Sequence, residues 1–129
     1  MPHTPSLMSL HLSYRLWIAE MNFDITVLRI FDDSLQELVI IKNEPEIKAG
    51  IEHFEQVFAE IRAEIDVIKH EMHLVKMKLA AVSKESNMPD EKMQEVDNHT
   101  AVKKTYFDFR KKFDAIKKEY KQFENKWMQ

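Results

Sequence analysis

Between Ile47 and Val82 the apolar residues alternate in steps of four and three: Ile47, Ile51, Phe54, Phe58, Ile61, Ile65, Ile68, Met72, Val75, Leu79 and Val82. Such steps average 3.5 residues, so all of these positions line one edge of a single helix, as in coiled coils and long bundles. An apolar edge of that length needs a cover of equal length, and the flanking chain supplies one on each side. Toward the N-terminus, Leu10, Tyr14, Trp17, Met21, Leu28, Phe31, Leu35 and Leu38 repeat the steps, with Asp24 and Ile25 competing for the one missing place. Toward the C-terminus the edge is Val102, Tyr106, Phe109, Phe113, Ile116, Tyr120, Phe123 and Trp127, most of it aromatic.

The first of these stretches is apolar on more than one side. Leu12, Leu16, Phe23, Val27, Ile30 and Ile41 form a second set beside its main edge, and only a narrow strip through Arg15, Asn22, Thr26, Arg29, Asp33 and Gln36 is wet. Such a helix is normally buried on several sides. The alternation Phe23, Ile25, Val27 is strand-like but too brief against a helical pattern more than thirty residues long.

Two breaks divide the chain. Lys42-Asn43-Glu44-Pro45-Glu46 ends one helix and opens another, because proline disfavours helical backbone at the residue before it and suits the first turn of a helix. Ser86-Asn87-Met88-Pro89-Asp90-Glu91 does the same further on. The pattern predicts three helices, about 6–41, 45–86 and 90–127, in a single domain. Short connections make sequential helices antiparallel neighbours, so the expected fold is all-α: an elongated up-down-up three-helix bundle with coiled-coil-like seams. Apolar surface left over after the helices pack is the expected face of a homodimer.

Composition narrows the function classes. A single glycine and four prolines are too few for a turn-rich β fold, and 44% hydrophobic with 32% charged residues describes a folded chain rather than a disordered one. The absence of cysteine excludes disulfides, thiolate metal sites and cysteine nucleophiles. No run approaches the roughly 18 apolar residues of a membrane span. Met1-Pro2-His3-Thr4-Pro5 lacks the basic-then-apolar order of a signal peptide, so a cytoplasmic location is expected. A net charge of -3 argues against a strongly basic nucleic-acid binder.

The histidines are the first candidates for chemistry. His70 and His73 stand three apart rather than the four that a zincin helix requires. Asp66, His70 and His73 do share one helical face, away from the main edge. Folding the chain back about positions 43.5 and 87.5 brings His11 level with position 76 and that level with His99, with His73 one turn away. His11, His73 and His99 are therefore the candidates for a metal site at one bundle end, weighed against a wet seam end. No Glu-x-x-His pair exists, which removes the di-iron ferritin pattern.

Asp24 needs a partner if it faces inward. The same fold-back places it level with Arg62, and a structural ion pair is favoured over a catalytic acid. Phosphate-cradling loops need glycines, and the lone Gly50 lies inside the second helix. Residues 103–126 hold nine Lys or Arg against four Asp or Glu, interleaved at pairing distances such as Asp108 to Lys112. With the aromatics turned into the seam, that surface reads as a solvated charged face, and nucleic acid is not expected as a partner.

Leu16-Trp17, Glu20, Phe23, Glu52-His53-Phe54, Phe58, Ile65-Asp66 and Lys69-His70 together resemble the pattern of a group of uncharacterised bacterial helical proteins, over roughly residues 14–75. The resemblance implies a long-helix fold and no activity, and it marks His53, Asp66 and His70 as polar positions to test. The expected function is a non-enzymatic structural or protein-interaction bundle that self-associates without a cofactor; the alternative is a metal-binding bundle using histidines near one end.

Overall fold

The computed structural model describes residues 7–41, 44–83 and 99–127. They form three helices: α1 (Leu7–Ile41), α2 (Pro45–Ser83) and α3 (His99–Trp127). No strand occurs among the described residues. Residues 84–86 and 90–98, expected at the ends of the second and third helices, lie outside them, as does Ser6. The Glu44 carbonyl accepts from the amides of Ile47 and Lys48, so Pro45 takes the first helical position, where its missing N–H goes unneeded.

At 1.5 Å per residue the helices are about 52, 58 and 44 Å long. The recurring close backbone approaches join α1 to α2 and α2 to α3, while long side chains carry much of the contact between α1 and α3. Every α2 edge position from Ile47 to Leu79 is buried; the side chain of Val82 lies outside the description. Opposite it lie Leu10, Tyr14, Met21, Leu28, Phe31, Leu35 and Leu38 of α1, and Val102, Tyr106, Phe109, Phe113 and Tyr120 of α3. Ile116, Phe123 and Trp127 are half-buried against that core.

Two details differ from the expected seams. Ile18 is buried, and Trp17 lies partly over the flank, stacked on Tyr106 at 5.3 Å and edge-on to Phe107 at 5.7 Å. A broad amphipathic ring is suited to bridging neighbouring helices there, while the smaller isoleucine fills the interior. The missing seam place belongs to Asp24, which is 2% exposed, with Ile25 beside it half-buried.

Aromatic packing joins all three helices. Tyr120 of α3 lies 4.6 Å from Phe31 of α1, and 5.2 and 5.3 Å from Phe54 and Phe58 of α2. Next to this cluster, Phe123 presses on Gly50, where a methyl group would fall within the volume of its ring. Glycine is a poor helix former, and alanine would normally add about 1 kcal/mol. Here the added methyl would have to displace a ring already 5.1 Å from Phe54 and 6.2 Å from Tyr120. Overpacking costs about 1–3 kcal/mol. Gly50→Ala should therefore lower the melting temperature, whereas in a Phe123→Ala background the same change should raise it; thermal unfolding followed by circular dichroism distinguishes the two.

Candidate functional site

Among the described residues the buried charged side chain is Asp24, and its partner comes from α3. Arg110 Nη1 and Nη2 donate to Asp24 Oδ1 and Oδ2 at 3.0 and 2.7 Å, a two-pronged pair. Nη2 also donates to the Tyr106 hydroxyl at 3.1 Å, and Nε lies 2.7 Å from the Glu20 carboxylate. The Arg110 side chain is 18% exposed. Burial alone would make its proton easier to lose, but the Asp24 and Tyr106 hydrogen bonds outweigh that and raise its pKa above the ordinary arginine value. The guanidinium therefore keeps its charge and is held in place by these contacts.

The expected partner, Arg62, instead donates to Asp32. Asp32 lies on the flank that α1 turns toward α2, whereas Asp24 sits in the seam within reach of α3. Combining the two fold-backs would have placed Asp24 within two residues of Arg110, a signal that treating the pairs of helices separately does not use. A second polar chain also links α1 to α3: the Tyr120 hydroxyl donates to Ser34 Oγ at 2.7 Å, and Ser34 donates to Glu124 Oε2 at 2.6 Å. Nothing in the periodicity pointed to it.

Among the described residues the histidines do not assemble into a site. Asp66, His70 and His73 are all exposed on α2. His11 is half-buried on α1, and the His99 side chain lies outside the described residues. Among the described residues no three of His, Cys, Asp and Glu are grouped to hold a metal ion. His53, exposed, packs edge-on against Phe54 at 5.1 Å.

The basic face of α3 is partly taken up in pairs. Lys112 donates to Glu64 of α2 at 3.0 Å rather than to Asp108, because its flank faces α2. Lys117 pairs with Asp114 at 3.1 Å and lies over the Phe113 ring. Phe107 is an exception to the inward-facing aromatics: it is exposed beside Trp17, with Lys103 over its ring.

A large apolar surface remains. Of the second apolar set of α1, only Val27 is drawn against the core. Leu12, Leu16, Phe23 and Ile30 stay 53, 59, 65 and 59% exposed, and Ile41 is exposed as well. The reason is geometric: these residues lie on the outer shoulder of α1, and α3 reaches α1 through side chains at the seam and its near flank. Val67, Leu74 and Met77 are similarly uncovered on α2. Among the described residues no helix is long and apolar enough to cross a membrane.

No family model matches the chain, and no curated protein or solved structure matches it either.

Removing the carboxylate alone should be costly, since it takes from a mostly buried guanidinium its two-pronged partner. Asp24→Ala should lower unfolding stability by about 3 kcal/mol in urea, and Asp24→Leu combined with Arg110→Leu should recover most of the loss. The tyrosines give a pH test. Burial raises Tyr14, Tyr106 and Tyr120 from an ordinary value of 10.0 to about 12, and the chain contains no other tyrosine. The unfolded chain thus loses these protons first, so their stabilising effect is complete below pH 10 and declines as pH rises toward 12. Tyrosinate absorbance at 295 nm should appear together with the loss of helical circular dichroism, with no earlier step.

Proposed function

We propose that this chain acts as a non-enzymatic structural or interaction bundle that associates through a helical face, with a second copy of itself as the first partner. The observation that carries the reading is the exposed set Leu12, Leu16, Phe23 and Ile30 on α1. It remains after the main edge of each helix has been filled. Contiguous apolar surface of this kind marks association sites in folded proteins. Two arginines support the same reading, since Arg110 is committed to Asp24 and Glu20 and Arg62 to Asp32. Their role in the bundle is to hold helices together.

Sedimentation equilibrium on untagged protein across a hundredfold range of concentration tests the proposal. The expected result is a reversible shift from the 15.4 kDa chain mass toward twice that value. A mass that stays at one chain throughout would refute self-association.

A further inference from the structure

Leu16, Phe23 and Ile30 stand seven residues apart on the outer shoulder of α1, each more than half exposed. Resting on the self-association reading, the geometry points to this stripe as a two-fold interface in which α1 of one copy lies antiparallel to α1 of another, centred on Phe23. A two-fold interface must be complementary to itself. With Phe23 on the axis, Leu16 of each copy faces Ile30 of the other. Val27, half-buried, faces the small Ala19, which makes room for it. Each copy offers on the order of 400 Å² of apolar side chain, within the roughly 300–600 Å² of the largest patch on a typical monomer. With a polar rim, that suits the core of an interface burying about 800 Å² per partner.

Charge selects the second copy and its direction. Arg110 and Arg62 hold Glu20, Asp24 and Asp32, a set of net charge -1 whose unbalanced acid, at Glu20 and Asp24, lies within three residues of the axis and so bears equally on either direction. Of the other acidic and basic residues on α1, Arg15 lies toward the Leu16 end, while Arg29, Asp33 and Glu37 lie toward the Ile30 end. The first end is therefore +1 and the second, with two acids against one arginine, is -1. Antiparallel docking sets the unlike ends together, whereas parallel docking would set each against its own kind. Glu37 also comes level with the first turn of the other copy's α1. That turn carries no acidic residue, and the positive end of the helix dipole favours one there.

The test uses the full chain, whose lack of cysteine lets a single thiol be introduced cleanly. Phe23→Glu should raise the dimer dissociation constant at least about 30-fold in sedimentation, the effect of losing an interface hot spot. Val67→Glu on α2 should leave it unchanged. In otherwise unaltered protein, Phe23→Cys should form an inter-chain disulfide under mild oxidation, and Val67→Cys should not. A wild-type dimer that survives Phe23→Glu, with no disulfide at position 23, would overturn the assignment of the face and leave self-association standing. A wild-type chain that is monomeric throughout would overturn both.

Discussion

The apolar edge of α2 is the constraint on which the rest of the bundle depends. It runs without a polar interruption from Ile47 to Leu79, and each of those residues is buried. One partner helix can cover only part of such an edge, and the described chain brings two. α1 and α3 therefore run parallel to each other and antiparallel to α2, with their relative heights fixed by what each must place against it. Burial of this edge is also nonspecific. Sliding a partner by seven residues would leave apolar side chains facing apolar side chains, at a modest loss in packing.

Discrimination between such registers falls to the polar groups. Asp24 occupies a seam position of α1, and a carboxylate there is tolerable only with a partner. Of the α3 positions seven residues either side of Arg110, one is Lys103 and the other Lys117. Lysine supplies charge but lacks the planar fork that meets both carboxylate oxygens. A one-heptad slip would thus exchange a two-pronged pair for a single-point contact and carry the Tyr106 hydroxyl away from Asp24. The core gives up some hydrophobic packing at this place and gains a defined alignment.

Much of this was legible in the chain. The three edges and the break at Pro45 follow from step lengths and proline chemistry, since burial there depends mostly on side-chain type, whereas the place between Met21 and Leu28 stayed open between Asp24 and Ile25. The features that were not legible involve relations between helices that are distant in sequence. Pairing Asp24 with Arg62 rested on one fold-back, in which an error of a few residues moves a side chain by more than a turn, whereas Arg110 arrives through two. The set from Leu12 to Ile30 was visible as apolar, but whether α3 would cover it depends on how closely α3 approaches α1. That distance is set by the large side chains between them, Trp17, Tyr106 and Arg110 among them.

The links from α3 to α1 have a mechanical consequence. Arg110 meets Asp24 and Tyr120 meets Ser34, two pins ten residues apart on both helices, about 15 Å along the rod. A rod pinned once can still pivot. Pinned twice at equal spacing, it can neither pivot nor roll without breaking one of the joints. The two polar joints thus fix the alignment of the outer rods, while the rings of Trp17 on Tyr106 and of Phe31 on Tyr120 fill the space between them.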